Sequence, residues 1–252
     1  MTSRRVNALV LAGGLGTRLK PLTDTVPKCL VEVNGVPLLE YWMSELALLG
    51  AQRVVVNTHH LPEPVRAYLA DASQRYGLVA EESFEPVLLG SAGTVTNNRD
   101  LADDVDDCLL IYADNLSTVP LARVLEAHRA RHSDLTMVLF HTERPKACGI
   151  AELGPGDVIE SFVEKPAEPK GNLANAGIYV VSADTYREIA DLHAFDFGFD
   201  VLPRYVGRMT GFVHDGLHLD IGTLDALERG HELAKVHFAG RSFGGRSFGG
   251  KP

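Results

Sequence analysis

The feature that most constrains the fold of this chain is the alternation of short, β-branched apolar runs with segments of helical periodicity. The runs with the length and composition of strands are Asn7–Leu11, Arg53–Asn57, Leu78–Glu81, Cys108–Ala113, Leu135–Phe140 and Ala176–Val181. The segments with apolar residues at three- and four-residue spacing, predicted as helices, are Pro37–Leu49, Pro62–Tyr76 and Leu121–His132. This alternation predicts an α/β fold with a mostly parallel sheet and helices on both faces.

The pattern changes between Cys148 and Val163, where two short apolar segments flank the turn sequence GPGD. This arrangement predicts an antiparallel hairpin inserted into a mixed sheet.

The sequence has no linker before residue 238, so we predict one domain over 1–238. The remaining residues, 239–252, contain the repeat RSFGG twice and too few apolar side chains for a core. They are predicted to form a flexible tail, although its two phenylalanines could dock elsewhere.

Net charge and cysteine content limit the partners and the compartment. The formal net charge of −9 disfavours nucleic acid and anionic membrane surfaces as ligands. No apolar run approaches the roughly 20 residues of a membrane span, and the short N-terminal apolar run leads into glycines, not into a cleavage site. The three cysteines lack the spacing of a disulfide framework or of a metal site. We therefore predict a cytoplasmic protein with buried, reduced thiols.

A glycine-rich loop, AGGLGTRLKP, follows the first predicted strand. It lacks the Gly-Lys-Ser/Thr ending of a P-loop, and a leucine stands where a dinucleotide fingerprint would have its last glycine. Gly13, Gly14 and Gly16 allow the backbone to approach a ligand closely and to point its amides at an anion. Arg18 would add a guanidinium fork for phosphate oxygens, and Lys28 a second cation. An ordinary glycine turn beside a surface arginine is the alternative, but it does not explain Lys28.

Further motifs follow this loop in the order found in one enzyme family. The stretch LAGGLGTRLKPLTDTVPKCLVEVNGVPLLEY is followed by LLGSAGT, ADN, FVEKP, NAGIYV and LDIGT. Over about residues 6–235, the series resembles the sugar-1-phosphate nucleotidyltransferases, also called nucleoside-diphosphate-sugar pyrophosphorylases. The resemblance implies a Rossmann-like, GT-A-like sheet. It also implies a reaction of an NTP with a sugar 1-phosphate, giving an NDP-sugar and pyrophosphate, with Mg²⁺ as cofactor.

Two aspartates are the candidate ligands of that Mg²⁺. Asp114 follows the apolar run CLLIYA, where a side chain protrudes at the carboxyl edge of a sheet. The resemblance makes Asp114 and Asp220 the metal ligands, and Mg²⁺ commonly takes one or two carboxylates together with phosphate oxygens and water. Each aspartate alone has another explanation. Asp114 could end a strand in a turn, and Asp220 could cap the helix that begins near Thr223.

The resemblance assigns the other site residues to the two substrates. Arg18 and Lys28 would stabilise charge on the leaving pyrophosphate and the α-phosphate, and Lys165 would hold the sugar phosphate. The nucleotide contacts that it implies are Leu11, Ala12, Gly13, Gly14, Gly16, Thr17, Glu85, Gly90 and Gly93. The sugar-phosphate contacts that it implies are Gly149, Glu164, Lys165 and Asn175.

Glu85 bears on the choice of nucleotide, because it stands where relatives that bind uracil or thymine have a glutamine. A carboxylate only accepts hydrogen bonds, and guanine offers two adjacent donors at N1–H and its exocyclic amine. Uracil and thymine offer one donor between two acceptors. We therefore predict a preference for GTP of about 10- to 100-fold in kcat/KM, the effect of mismatching one buried polar group.

The sequence is compatible with more than one sugar phosphate and more than one activity. Mannose, heptose and cyclitol 1-phosphates are all compatible with the sequence. A second hypothesis is cytidylyl transfer to a small phosphate such as phosphocholine, which would need aromatic faces around its ammonium group. A third is a catalytically silent nucleotide-sugar-sensing subunit on this fold, which would be expected to lose the charged residues named above. A homo-oligomer is compatible with the sequence.

Overall fold

The apolar runs form strands and the periodic segments form helices in the computed structural model of the chain, which describes residues 5–244 and 246–247. The α-helices are α1 (Leu38–Leu49), α2 (Pro62–Tyr76), α3 (Gly90–Asn97), α4 (Leu121–Arg131), α5 (Ala183–Ala190) and α6 (Leu224–His237). The strands are β1 (Val6–Leu11), β2 (Glu32–Val33), β3 (Val36–Pro37), β4 (Arg53–Thr58), β5 (Val79–Phe84), β6 (Asp107–Tyr112), β7 (Asn115–Ser117), β8 (Leu135–His141), β9 (Ile150–Leu153), β10 (Ile159–Val163), β11 (Leu173–Ser182), β12 (Met209–Val213), β13 (His218–Asp220), β14 (Ser242–Phe243) and β15 (Arg246–Ser247). The strands and helices predicted from periodicity are all confirmed.

Proline and glycine set the ends of two predicted helices. α1 follows Pro37 and ends at Gly50, whose φ is 80°. α2 has Pro62 in its first turn and ends at Gly77, whose φ is 66°. Only glycine adopts this left-handed conformation without steric cost, and there its amide bonds back to the last helical turn. None of the described helices is long and apolar enough to cross a membrane.

The chain folds into two compact units, each assembled from three separate segments. The first unit comprises the chain up to Leu9 with Leu89–Ile111 and Pro120–Asp215. The second comprises Val10–Leu88, Tyr112–Val119 and the chain from Gly216 onward. Because neither unit is one continuous stretch, the sequence contains no linker between them. One domain over 1–238 stays a prediction.

The first unit contains a mixed sheet in the order β10-β9-β11-β6, with β8 also paired to β11 and β12 paired to β8. β11 runs antiparallel to β6, β8 and β9, whereas β12 runs parallel to β8. β9 and β10 form the predicted hairpin. A mixed sheet is thus confirmed. Antiparallel pairing is not limited to the hairpin, because β11, which follows the hairpin in the chain, is antiparallel to β6, β8 and β9.

The second unit contains the parallel pair β4–β5, in register from Arg53 beside Val79 onward. It also contains two antiparallel pairs, β2–β3 and β7–β13. In the β7–β13 pair, Asp220 lies opposite Asn115, the residue after Asp114. This register brings together two aspartates that are far apart in sequence.

The cysteines are free, and two are buried as predicted. Cys29 and Cys108 are buried, and burial raises the pKa of both thiols to about 12. Thiols with such a pKa stay protonated and unreactive at neutral pH. Cys148 is only half-buried, so the prediction of buried thiols does not extend to it.

The first part of the tail packs into the core of the second unit. Phe243 is 1% exposed, and its ring centroid lies 4.8 Å from that of Tyr41 and 6.1 Å from that of Phe238. Arg241 forms an ion pair of 2.6 Å with Glu45. The predicted flexible tail over 239–252 is therefore wrong for residues 241–244, because Phe243 packs against aromatic rings on α1 and after α6. Gly245 and residues 248–252 lie outside the described residues.

We expect Phe243→Ala to lower the free energy of unfolding by about 3 kcal/mol, the lower end for truncating a buried phenylalanine, because the substitution removes the ring that packs against Tyr41 and Phe238. Urea denaturation followed by circular dichroism would measure the loss. Val236→Ala on α6 is the control, since this side chain is 74% exposed. It should change stability by less than about 0.5 kcal/mol. Equal, small effects of both variants would contradict a core role for Phe243.

Candidate active site

The glycine-rich loop leaves β1 at Leu11 and is tied to the end of β4 by Asn57. Asn57 Oδ1 accepts hydrogen bonds from Ala12 N at 2.6 Å and from Gly13 N at 3.2 Å. A Cβ on Gly13 would lie 2.7 Å from Asn57 Nδ2, so this close approach requires glycine. These two amides are satisfied within the protein, contrary to the prediction that they point at an anion. A phosphate would therefore meet the loop beyond Gly13.

The second half of the loop turns at Gly16. Its φ is 64°, and a Cβ there would lie 2.8 Å from Thr23 Cγ2, so glycine is needed for both reasons. The turn leads into the short 3-10 helix Thr17–Leu19. It leaves Gly14 and Arg18 exposed, where they can reach a ligand.

Lys28 lies between the two predicted metal ligands. Its Nζ is 2.5 Å from Asp114 Oδ2 and 3.7 Å from Asp220 Oδ1. The two aspartates are held together by the β7–β13 pair, in which Ile221 N donates to Asp114 O at 2.9 Å. The Lys28 side chain is 10% exposed, against 33% for Asp114 and 56% for Asp220. A nearly buried cation thus faces two accessible carboxylates.

Arg18 lies near Asp220, on the other side of Gly222. A Cβ on Gly222 would lie 2.9 Å from both Arg18 Nη2 and Asp220 Oδ2, so the guanidinium and the carboxylate border one glycine. Burial raises the pKa of Asp220, and the charge of Asp114 raises it further, while Lys28 and Arg18 lower it. The paired carboxylates repel each other, and an added cation would relieve that repulsion.

These residues fit the predicted Mg²⁺ site. Two carboxylates are a common protein contribution to Mg²⁺ binding, with water and phosphate oxygens completing the octahedron. Among the described residues, no group of three His, Cys, Asp or Glu side chains could hold a metal ion. Thr223 caps α6, since its Oγ1 accepts from Ala226 N at 3.2 Å. This removes helix capping as the explanation for Asp220.

Glu85 is enclosed next to the glycine-rich loop. It is 1% exposed, and its Oε1 accepts a hydrogen bond from Asn57 Nδ2 at 3.0 Å. Its backbone is fixed by two hydrogen bonds: Glu85 N donates to Thr58 O at 2.8 Å, and Glu85 O accepts from His59 Nδ1. One of the two oxygens predicted to face guanine is therefore engaged by Asn57. The contact with a base stays a prediction.

Gly90 and Gly93 lie on α3 in the first unit. Gly90 has a φ of 77°, and a Cβ on it would clash with Phe195 O. Ala92 N donates to the same oxygen at 3.0 Å. Glycine at position 90 is thus required by the packing of α3 on Phe195. The nucleotide contacts of Gly90 and Gly93 stay predictions.

A second group of polar residues surrounds Glu164 in the first unit. A Cβ on Gly149 would lie 2.5 Å from Glu164 Oε2, and a Cβ on Gly198 would lie 2.8 Å from it. The carboxylate therefore lies between two glycines. Burial raises the pKa of Glu164; Lys165 opposes this shift and the charge of Asp196 adds to it. Such a desolvated carboxylate is a strong acceptor for the hydroxyl groups of a ligand.

Lys165 has an unusual backbone conformation beside this carboxylate. Its φ is 47°, which is rare for a residue other than glycine and often marks a functional position. Its Nζ lies 3.8 Å from Glu164 Oε1 and 5.8 Å from the ring centroid of Phe199. The side chain is 57% exposed. The cation is therefore directed by its neighbours yet accessible to an anion.

Asn175 uses its side-chain amide within the protein. Its Nδ2 donates to Tyr179 Oη at 2.7 Å, and its Oδ1 accepts from Gly177 N at 2.9 Å. These bonds hold the irregular part of β11, and Asn175 N donates to Gly149 O at 2.9 Å. Asn175 thus shapes the backbone beside Gly149. Its direct contact with a sugar stays a prediction.

Sequence reasoning missed several residues that the structure places in these groups: Asn57, Gly198, Phe199 and Gly222. A polar residue directly after the run VVV was a signal for Asn57, because side chains at the carboxyl ends of strands often bind ligands. Gly222 lies within the motif LDIGT, which was a signal for it. Gly198 packs against Glu164 and Phe199 faces Lys165, and the sequence carries no local signal for either contact.

Several known proteins resemble this chain in sequence or in fold. The family model described as Nucleotidyl transferase matches residues 7–235. A mannose-1-phosphate guanylyltransferase of Mycobacterium tuberculosis is 30% identical over 234 residues, which cover 91% of this chain and 65% of that protein. A mannose-1-phosphate guanyltransferase of Yarrowia lipolytica is 31% identical over 221 residues, covering 86% and 61%. The chain thus spans less than two thirds of the length of either relative.

A solved structure shows the same fold. It is that of a Bacillus anthracis protein assigned as a glucose-1-phosphate thymidylyltransferase, in complex with a sucrose. It superposes with a TM-score of 0.77 at 22% identity, covering 91% of this chain and 95% of that one. The α/β nucleotidyltransferase-like fold is therefore established.

Proposed function

Because the chain belongs to the nucleotidyl transferase family, we propose that it transfers a guanylyl group from GTP to a sugar 1-phosphate, giving a GDP-sugar and pyrophosphate. The two relatives named as guanylyltransferases of mannose 1-phosphate support both halves of this assignment. Mannose 1-phosphate is accordingly the first acceptor to test. Heptose and cyclitol 1-phosphates are the next.

The observation that carries the proposal is the position of Lys28 between Asp114 and Asp220, with Arg18 beside Asp220. Joining two phosphate-bearing substrates depends on positioning and on neutralising charge more than on acid–base catalysis. Lys28 and Arg18 are proposed to stabilise charge on the α-phosphate and on the departing pyrophosphate. The exposed part of the loop, from Gly14 to Arg18, would contact the phosphates.

Asp114 and Asp220 would hold the Mg²⁺ that this family generally uses. When bound, the ion supplies positive charge that offsets the charge of the phosphate oxygens. Lys28 would compete for the same carboxylates until the ion binds. It would thus keep them oriented in the absence of metal.

The residues around Glu164 are proposed to take the sugar phosphate. The accessible ammonium of Lys165 suits its phosphate, and the carboxylate of Glu164 can only accept, which suits sugar hydroxyl groups. Gly149 leaves room for a ligand to approach Glu164 closely. Asn175 would support this position by fixing the backbone beside Gly149.

Nucleic acid and membranes are proposed not to be ligands of this protein. A net charge of −9 supports the absence of nucleic acid and anionic membranes among the ligands. A cytoplasmic location and a homo-oligomeric state stay predictions.

An assay of pyrophosphate release would test the function. The protein would be incubated with Mg²⁺, each of GTP, ATP, CTP, UTP and dTTP, and mannose, glucose, heptose or cyclitol 1-phosphate or phosphocholine. We expect GTP with mannose 1-phosphate to give the highest kcat/KM. A preference for UTP or dTTP would contradict the choice of GTP, but it would leave sugar-1-phosphate nucleotidyl transfer intact. Turnover of phosphocholine with CTP, or no release with any pair, would contradict sugar-1-phosphate nucleotidyl transfer.

We expect Lys165→Ala to raise the KM for the sugar phosphate by about tenfold or more, since a charged hydrogen bond is worth about 1.5–3 kcal/mol. The KM for GTP should change little, because Lys165 is assigned to the other substrate. Initial rates with each substrate varied in turn would separate the two constants. Lys146→Ala, an exposed lysine on the same unit, is the matched control. Equal rises in both KM values would indicate a structural role.

A further inference from the structure

Asn57 links two parts of the second unit that the proposed function uses. Its Oδ1 accepts from the amides of Ala12 and Gly13, which begin the glycine-rich loop. Its Nδ2 donates to Glu85 Oε1. Asn57 and Glu85 are 4% and 1% exposed, so neither side chain is positioned by bulk water. A single amide side chain thus connects the loop to a buried carboxylate.

The carboxylate and the two backbone amides together determine which way the Asn57 amide points. The two ends of an asparagine amide have nearly the same shape, but one donates and the other accepts. Ala12 N and Gly13 N are donors, so they require the oxygen end. Glu85 only accepts when ionised, so it requires the nitrogen end. Both requirements select the same orientation of the Asn57 amide. In the opposite orientation, its NH₂ group would face the N–H groups of Ala12 and Gly13, and its oxygen would face the Glu85 carboxylate.

Gly13 shows how tightly this arrangement is packed. A Cβ at this position would lie 2.7 Å from Asn57 Nδ2 and 3.6 Å from Asn57 Cγ. The amide therefore lies directly against the loop backbone. A shift of Asn57 would move the backbone from which Gly14 to Arg18 continue.

We propose that Asn57 is a positioning residue for the nucleoside triphosphate, and that Glu85 acts through it by fixing the orientation of its amide. The role of Asn57 in catalysis rests on the proposed function, whereas its hold on the loop does not. Glu85 thereby sets the phosphate-binding loop for every nucleoside triphosphate, whatever its base. Loss of the pair would raise the KM for the triphosphate and leave the KM for the sugar phosphate unchanged.

Reversing the polarity of the pair tests this inference. Asn57→Asp places two carboxylates side by side, and we expect it to raise the KM for GTP and for UTP alike by about tenfold or more. Glu85→Gln alone keeps an acceptor that can face Asn57, so its effect should stay within about threefold. The double variant exchanges amide and carboxylate and restores the hydrogen bonds that join positions 12, 13, 57 and 85. We expect its KM values to return to within about threefold of the wild-type values.

A measurement on the ligand-free protein tests the contact without any activity. We expect the amides of Ala12 and Gly13 to exchange hydrogen at least about tenfold faster in Asn57→Ala than in the wild type. Asn98→Ala is the matched control, because Asn98 is buried and donates from Nδ2 to Thr94 O at 2.8 Å. It should lower stability without changing the exchange at Ala12 and Gly13 or the KM for GTP.

Several outcomes would overturn the inference. They are a double variant as impaired as Asn57→Asp, unchanged exchange at Ala12 and Gly13 in Asn57→Ala, and an equal rise in the KM for the sugar phosphate. A Glu85→Gln variant that changed only the ratio of GTP to UTP would show that Glu85 meets the base directly. If the wild type turned over no substrate pair, the proposed function would fail, and the exchange measurement would still decide whether Asn57 holds the loop.

Discussion

Replacing Lys28 with methionine is expected to lower kcat/KM by about 100- to 1,000-fold, the usual effect of removing one charge-stabilising donor from an active site. Methionine keeps much of the length of the side chain and removes the charge. Lys28 Nζ lies 2.5 Å from Asp114 Oδ2 and the Lys28 side chain is nearly buried, so the substitution removes a charge from inside the site. Pyrophosphate release at saturating Mg²⁺ would measure the loss. Lys235→Met is the control, since Lys235 is 58% exposed and pairs with Glu232 on α6.

The Mg²⁺ dependence of this variant separates two roles of Lys28. If the lysine only balances the charges of Asp114 and Asp220, excess Mg²⁺ should restore turnover, because the ion supplies the same charge. If it stabilises the phosphates, turnover should stay low. The Mg²⁺ concentration for half-maximal rate should then fall, since a competing cation has been removed. We expect the second result, and full rescue by Mg²⁺ would contradict it.

Asp114→Asn and Asp220→Asn should each lower kcat/KM at limiting Mg²⁺ by about 100-fold or more, since a metal ion supplies several kcal/mol of charge stabilisation. Asparagine keeps the shape of aspartate and removes the charge that holds the ion. Part of the rate should return at high Mg²⁺, because the second carboxylate remains. Binding of Mn²⁺ measured by electron paramagnetic resonance would give a readout independent of turnover.

Asp184→Asn provides the control for both aspartates, because the Asp184 side chain is 99% exposed on α5. It should leave Mn²⁺ affinity and turnover unchanged. Wild-type Mn²⁺ affinity in Asp114→Asn or Asp220→Asn would show that the altered residue does not bind the metal.

Some of this arrangement could be predicted from the sequence, because it depends on local patterns. The periodicity of Pro62–Tyr76 and the glycine that follows it determine α2 almost alone. The run before Asp114 predicts a buried strand with a carboxylate at its end. Pairing of Asp114 with Asp220 came only from the resemblance, since no local signal brings β13 beside β7.

Other features could not be predicted because they arise from packing between distant segments. Nothing near Glu85 indicates that Asn57 occupies one of its oxygens. Phe243 lies in a glycine-rich repeat whose composition resembles a disordered tail, yet it packs against Tyr41. In both cases the contacting residue is distant in sequence, and only the folded structure brings it into contact.

The division of the chain into interleaved segments has a consequence for synthesis on the ribosome. Ser117 Oγ donates to Leu217 O, 100 residues later, and the β7–β13 pair that surrounds this bond sets Asp220 beside Asp114. A nascent chain that ends before Gly216 carries Lys28 and Asp114 but neither β13 nor Asp220. The cation would then face one carboxylate, and the strand β7 would lack its partner. The ability to bind metal should therefore appear only after the segment that carries β13 has left the ribosome, and nucleotide chemistry would be delayed until then.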